Sequence, residues 1–252
     1  MKVFKSESLV DYGTYTFNYA NYCLKEHQND IPAIYNQGFL PYSNDLKLQE
    51  EIFYMARSLR VDLERFTSSS ENRRVGRKIE ALNIQFEVLD YSNFKRTATF
   101  KAFCLDYASQ RFSDNISPER LDYIFASKSI SKIFHFYIDS KAVGYVIAIA
   151  AGNTLHYWFA FFSLDYPKHS LGKWMMYSVI NWAKENDYDH VYLGTCYGEK
   201  SLYKVRDFKG LSFWDGNTWN QDTKLLKSKC KTDAQPKADD FKQDTDLFLA
   251  RI

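Results

Sequence analysis

Apolar and polar positions change their pattern about one third of the way along the chain. Upstream, the apolar run at 52–63 predicts one strand. Serines before Glu71 predict a helix start, since serine caps helices and a carboxylate in the first turn favours the helix dipole. Downstream, strict alternation predicts a strand at 84–88, and helical periodicity predicts helices at 94–112 and 117–126.

The next part of the chain is predicted to form an antiparallel meander, a helix and a further strand. The meander strands are expected at 133–138, 142–150 and 154–162. Tight turn pairs at 140–141 and 152–153 join them. Ser170 is the expected cap of a helix that runs to about residue 185, and a strand is expected at 190–193.

This element order indicates the fold class. The order β, αα, βββ, α, β is the plan of the GNAT (GCN5-related N-acyltransferase) fold, an α/β sheet flanked by helices. Two central strands of that sheet separate to admit an acyl donor. We therefore expect a small mixed domain at 1–80, a GNAT-like domain at 81–220 and a polar, mobile tail at 221–252, in which 246–249 is the segment able to dock.

Composition restricts the function classes. Lys and Arg total 33 against 31 for Asp and Glu, so the net charge of +2 predicts no grip on nucleic acid through bulk charge, and any RNA contact must be a local patch. Hydrophobic residues at 45% and aromatic residues at 17% predict a packed, sheet-rich core. The four cysteines form no C-x-x-C pair, which fits a reducing compartment. The N-terminus has no apolar signal region, and no apolar run reaches the roughly 20 residues of a membrane span, so we expect a cytoplasmic protein.

Short motifs occur in a characteristic order over much of the chain. In the second half they are 134–137, 144–150, 162–166, 170–172 and 191–194, followed by Tyr203-Lys204 and Phe208. This series resembles the C-terminal domain of arginyl-tRNA-protein transferases, including the bacterial leucyl-transferring branch. Upstream, 35–39 and 70–74 are similar to that family's loop ending in Arg-Gly-Trp and to its Ser-x-x-x-Arg-Arg block.

Two departures from the family pattern matter. The family usually carries an N-terminal C-x-x-C and a later Cys-Cys pair that bind a metal or an iron-sulfur cluster, whereas this region has only Cys23. We therefore expect no metal, cluster or other cofactor. The family's Cys-Pro-Lys-Met is replaced by Glu-Lys-Ser-Leu at 199–202, which leaves substrate choice near that loop open.

The resemblance implies a function. It implies transfer of Arg or Leu from aminoacyl-tRNA, the co-substrate, to the N-terminal amine of an acceptor protein with an acidic first residue. We expect the enzyme to act as a monomer. Two other hypotheses stay open: a CoA-dependent N-acyltransferase with a degenerate phosphate loop, and a non-catalytic relative that binds tRNA or protein N-termini.

Candidate residues follow from the chemistry and from the matched motifs. Aminoacyl transfer needs a neutral amine beside an ester carbonyl, an acceptor for the amine proton, donors for the oxyanion and cations for the tRNA 3′ end. The catalytic candidates are Asp165, Tyr203 and Lys204. The substrate-binding candidates are Ser170, Leu171, Gly172, Tyr192, Gly194, Arg206, Phe208, Arg73 and Arg74.

Most of these candidates have a plainer structural alternative. Asp165 is either a proton acceptor or a loop-capping carboxylate beside Pro167. The helix start at 170–172 is either an anion site or a plain cap, and the Gly-rich CoA loop is missing from 166–174. The basic segments at 73–78 and 203–209 either contact single-stranded RNA or are solvated. Buried histidines are expected at 135 and 156, and the loop residue His169 is a further residue to test.

Overall fold

The computed structural model describes residues 1–11, 13, 16–112, 116–166 and 170–233. His169, Pro167 and the segment 246–249 lie outside these residues. The described part forms two sheets. The predicted mixed α/β architecture with helices on a large sheet is confirmed.

The smaller sheet has four antiparallel strands in the order β1-β2-β4-β3. Its strands are β1 (Lys2–Asp11), β2 (Thr16–Leu24), β3 (Phe39–Pro41) and β4 (Ile52–Met55), and helix α1 (Ile31–Asn36) precedes β3.

The larger sheet has eight strands in the order β12-β11-β5-β10-β9-β8-β7-β6. Its strands are β5 (Ser58–Asp62), β6 (Gln85–Asp90), β7 (Lys132–Ile138), β8 (Lys141–Ala151), β9 (Thr154–Phe162), β10 (His190–Thr195), β11 (Leu211–Trp214) and β12 (Trp219–Asn220). Its helices are α2 (Ser70–Glu80), α3 (Ala98–Arg111), α4 (Pro118–Phe125), α5 (Leu171–Glu185), α6 (Tyr203–Asp207) and α7 (Thr223–Thr232).

Helices cover both faces of the larger sheet. On β8, Tyr145 and Ile147 point to the face covered by α3 and α4, while Val146 and Ala148 point to the face covered by α2 and α5. This alternation follows from the two-residue period of a strand. The two faces therefore have separate hydrophobic clusters, and β8 and β9 lie between them. None of the helices in the described ranges has the length and apolarity needed to cross a bilayer.

The prediction of a single strand at 52–63 was wrong. The chain forms β4 in the small sheet and β5 in the large one, with a bend between them. Ala56 donates its amide to the carbonyl oxygen of Gly38, and the Ser58 hydroxyl donates to the same oxygen at 2.8 Å. These long-range bonds turn the chain from one sheet into the other. The chain therefore passes from the smaller sheet to the larger one between β4 and β5. This point lies upstream of the domain boundary predicted near residue 80.

The expectation of a mobile tail from residue 221 is also corrected. Helix α7 occupies part of that segment, and the Asp222 side chain caps it by accepting from the amides of Lys224 and Leu225. Leu226 and Cys230 are buried against the larger core, so α7 packs as part of the fold. Burial of these two side chains and the 2.9 Å ion pair between Arg57 and Asp233, the residue after the helix, both hold α7 against the rest of the fold.

Gly38 occupies a position that no other residue fits. Its φ is 80°, and a Cβ there would lie 2.2 Å from Cγ of Trp214. We expect Gly38→Ala to lower the free energy of unfolding by about 2–4 kcal/mol through backbone strain and overpacking. The matched control is Gly76→Ala in α2, where a Cβ meets nothing within 4 Å. It should be neutral or stabilising by about 0.5–1 kcal/mol. Equal effects of both in urea unfolding would contradict the prediction.

Candidate functional site

A cavity opens where β9 and β10 separate. The two strands pair in parallel only at His190, Val191 and Tyr192, opposite Thr154 to His156. Beyond that point they diverge, and a cavity of about 870 Å³ occupies the gap. Side chains from α3 on one face of the sheet and from α5 on the other both line it, so the cavity passes through the sheet.

The lining of this cavity combines aromatic and basic side chains. The aromatic ones are Tyr107, Phe112, Tyr157, Trp158, Phe159, Phe162, Tyr166 and Tyr203. The charged ones are Arg111, Lys173, Lys200 and Lys204. Among the described lining residues there is no carboxylate. Such a surface suits an anionic ligand with flat rings, since bases stack on aromatic side chains and cations contact phosphates.

Lys204 lies on α6, and main-chain oxygens of β10 hold its ammonium. Its Nζ donates to the carbonyl of Leu193 at 2.7 Å and to that of Thr195 at 3.2 Å. Gly194 lies between these two carbonyls with a φ of 76°, which favours glycine. Burial lowers the pKa of the Lys204 ammonium to about 8. An ammonium has three N–H donors, so one remains for a ligand.

Three tyrosines stand around the same gap. Burial raises the pKa of Tyr203 and of Tyr107 to about 12, and that of Tyr157 well above 10. Their hydroxyls therefore stay protonated at neutral pH and serve as hydrogen-bond donors and acceptors. The sequence-based catalytic candidates Tyr203 and Lys204 both line the cavity.

The start of α5 forms another part of the lining. Ser170, Leu171 and Gly172 all face the cavity. Ser170 holds the N-cap position, but its side chain makes no capping bond, because its backbone is left-handed with a φ of 58°. The prediction placed Ser170 correctly at the start of the helix, but its side chain does not cap it. In the first turn of α5 the Lys173 amide donates to the Ser170 carbonyl at 3.0 Å, and Leu171 and Gly172 precede it at the cavity.

Asp165 is not part of this lining, although its neighbours Leu164 and Tyr166 are. It is exposed in the loop after β9, where its carboxylate accepts a hydrogen bond of 2.8 Å from the Ser163 hydroxyl, and its own amide donates back to that hydroxyl. This is the geometry of the loop-capping alternative. A role for Asp165 in proton transfer stays a prediction.

The other substrate-binding candidates also lie outside the lining. Tyr192 is buried and stacks on Tyr35 with ring centroids 4.8 Å apart, and Phe208 is buried in the larger core. Arg206 pairs with Asp207 at 2.7 Å. Their predicted contact with substrate stays a prediction.

The two arginines of α2 have partners in that helix or directly before it. Arg73 donates to the Ser68 carbonyl at 2.8 Å, and Arg74 pairs with Glu71 at 2.7 Å. The hydrogen bond from Arg74 lowers the pKa of Glu71 to about 2. Neither arginine lines the cavity, and their contact with RNA stays a prediction.

Comparison with known proteins identifies the domain that contains the cavity. Residues 117–209 match the family of acetyltransferase (GNAT) domains. This part of the chain has a GNAT-like fold. The match covers the meander, α5, β10 and α6, and therefore the elements on both sides of the gap.

A curated relative confirms the resemblance to aminoacyl-tRNA-protein transferases. The chain is 27% identical over 169 residues to an aspartate/glutamate leucyltransferase of Saccharophagus degradans, and the match covers 64% of this chain and 69% of that protein.

Solved structures with similar folds are more distant. L-PGS from Bacillus licheniformis is 14% identical with a TM-score of 0.43, over 68% of this chain and 50% of that one. FemX is 9% identical with a TM-score of 0.48, over 76% of this chain and 68% of that one. The present chain thus spans half the length of L-PGS.

Several lining residues of the GNAT domain were missed by sequence reasoning. Tyr107 and Arg111 stand four residues apart on α3, so they share one helix face, and that spacing is the signal that was available. Tyr157 and Trp158 fall in the predicted strand at 154–162, and both line the gap. Lys173 follows directly on the predicted segment 170–172.

Two other groups beside the gap are buried and unsuited to nucleophilic chemistry. The sulfur atoms of Cys196 and Cys230 are 3.6 Å apart, and burial raises the pKa of the Cys196 thiol to about 11. His156 is buried, as expected from the sequence, and neutral, whereas His135, also expected to be buried, is half-buried and lies 3.0 Å from Glu87. In the described ranges, no group of three or more His, Cys, Asp or Glu side chains is arranged to hold a metal ion.

Proposed function

We propose that this chain transfers an aminoacyl group from a charged tRNA to the N-terminal amine of an acceptor protein. The observation that carries the proposal is the cavity between β9 and β10, whose charged lining is basic and whose walls are aromatic. The similarity to an aspartate/glutamate leucyltransferase supports the same reaction class.

The donor in this proposal is the aminoacylated 3′ end of tRNA. Its terminal bases stack on the aromatic walls, and its phosphates meet Lys200, Lys173 and the amides at the start of α5. Lys173 also forms an ion pair with Asp207 at 2.9 Å, which fixes its position at the cavity wall. A local patch of this kind is what a chain of net charge +2 needs to bind RNA.

The chemical step balances without an added reagent. The acceptor amine attacks the ester carbonyl, a carbon–nitrogen bond forms, and the bond from that carbon to the ribose oxygen breaks. The proton lost by the amine goes to the ribose oxygen. In this proposal the third N–H of Lys204 stabilises the oxyanion and the Tyr203 hydroxyl relays the proton, which their positions in the cavity lining support.

The finer specificity belongs to the same proposal. We expect the transferred residue to be Arg or Leu and the acceptor to begin with Asp or Glu, and we expect the enzyme to act as a cytoplasmic monomer without a cofactor. The relative's name supports leucine and an acidic acceptor.

A transfer assay tests the proposed function. Purified protein is mixed with radiolabelled leucyl- or arginyl-tRNA and a peptide that begins with Asp, and label on the peptide is measured. Transfer from at least one of the two tRNAs is the expected result, and no transfer from either refutes the proposal.

A second candidate is favoured by the acetyltransferase description of the matched family. The cations of the cavity suit CoA phosphates as well, although the Gly-rich loop that binds them is missing from 166–174. A parallel assay with acetyl-CoA separates the candidates, since acetylation without aminoacyl transfer establishes the CoA-dependent reaction instead.

A further inference from the structure

We propose that Arg111 binds the side-chain carboxylate of the acceptor's first residue and thereby sets the preference for Asp or Glu. The inference rests on the proposed function and names the residue that selects its acceptor. Arg111 ends α3, lines the cavity and is exposed.

The position of Arg111 separates it from the donor-binding cations. Lys173 approaches the cavity from α5, and Lys200 lies in the segment after β10 together with Lys204. Arg111 approaches from α3, which packs on the opposite face of the sheet. A donor held by the α5 side leaves the α3 side for the second substrate. Among the described lining residues, Arg111 is therefore the one cation on the side where the acceptor enters.

Three tyrosine side chains line the cavity together with Arg111 and Lys204. Tyr107 lies one helical turn before Arg111 and interacts electrostatically with it and with Tyr203. Tyr157 interacts with both Tyr107 and Tyr203. Tyr203 is followed directly by Lys204. An acceptor whose amine reaches the ester beside Lys204 thus has its first side chain along these tyrosines, toward Arg111.

The partners of Lys173 and Lys204 distinguish these two lining cations from Arg111. Lys173 pairs with Asp207 and lies 3.6 Å from Glu71, and Lys204 is bound to two carbonyl oxygens. Arg111 has no ion pair with any carboxylate of the described residues. A guanidinium binds a carboxylate through two parallel N–H bonds, which a lysine does not reproduce. Arg111 is therefore the lining cation whose geometry fits an Asp or Glu side chain.

The test compares Arg111→Gln with wild type on four peptides that differ only in the first residue, Asp, Glu, Asn or Gln. We expect kcat/KM for the Asp and Glu peptides to fall about 10- to 100-fold, the effect of losing a charge-assisted hydrogen-bonded pair. Rates with the Asn and Gln peptides should change less than about twofold, since amides do not need the cation. Arg111→Lys should recover part of the preference.

Lys101→Gln is the matched control. Lys101 lies on the same helix and loses the same charge, but it pairs with Asp122 outside the cavity, so acceptor preference should stay as in wild type. Equal losses on all four peptides, or a raised KM for aminoacyl-tRNA with every acceptor, would overturn the inference and make Arg111 a phosphate contact.

Direct binding separates failure of this inference from failure of the proposed function. Fluorescence anisotropy of labelled Asp and Asn peptides needs no turnover. The inference is supported if Arg111→Gln binds the Asp peptide more weakly than wild type does and binds the Asn peptide equally well. This outcome counts even if the protein transfers nothing. Unchanged binding of both peptides refutes it, even where the wild type is an active transferase.

Discussion

Lys204→Ala should lower the rate of peptide-bond formation about 100- to 1,000-fold, the usual loss when one oxyanion donor is removed. The reason is geometric, since Leu193 and Thr195 hold the ammonium through two of its three N–H groups and leave the third in the cavity. Single-turnover kinetics with prebound aminoacyl-tRNA measures this step apart from binding. Lys209→Ala is the matched control, because Lys209 is exposed in the same basic segment and does not line the cavity.

The protonation of Lys204 adds a pH signature to that result. Burial lowers its pKa to about 8, so the ammonium is present below that pH and is lost above it. Deprotonation of the acceptor amine raises the rate over the same range, so the comparison must be with Lys204→Arg, which stays charged. We expect the ratio of wild-type to Lys204→Arg rate to fall as pH rises through about 8. A ratio that rises instead would make Lys204 a general base.

Local patterns were sufficient to predict the centre of the fold. The meander at β7, β8 and β9 depends on strand alternation and on two tight turns, all of which are short-range features. The break between β4 and β5 depends on the Gly38 carbonyl, a partner that is distant in sequence. Helix α7 was missed for the same reason, because its polar sequence is held by core contacts and by an Arg57–Asp233 ion pair with partners distant in sequence.

The candidate site was predictable where the motifs lie at the ends of β9 and β10. Gly194 lies on β10, Ser170 and Lys204 lie on the elements that follow β9 and β10, and all three line the gap where the two strands diverge. Neighbours within the same motifs behave differently, since Arg206, two residues after Lys204 on a short helix, does not share its face. Arg111 belongs to a helix on the other face of the sheet. Only the fold shows that the cavity extends through the sheet to that face.

His156 lies beside this gap and couples the site to the acid stability of the whole protein. Its Nδ1 is 3.0 Å from the Tyr35 hydroxyl, and its Nε2 has no hydrogen-bond partner among the described residues. Burial, together with the positive charge of Lys204, lowers the pKa of His156 to about 3. The imidazole is therefore neutral in the folded protein over most of the acidic range, whereas in the unfolded chain it takes up a proton below its usual pKa of about 6.5.

Because the unfolded state binds the extra proton between about pH 3 and 6.5, His156 should lower the free energy of unfolding by about 1.4 kcal/mol for each pH unit below 6.5. His156→Asn keeps an acceptor for Tyr35 but does not titrate. Urea unfolding at pH 4, 5, 6 and 7 should give a wild-type curve steeper than that of His156→Asn by about this slope up to pH 6.5, and parallel to it above. Carboxylates contribute equally to both curves and cancel in the difference. Parallel curves throughout the acidic range would mean that the folded protein protonates His156 as readily as the unfolded chain does.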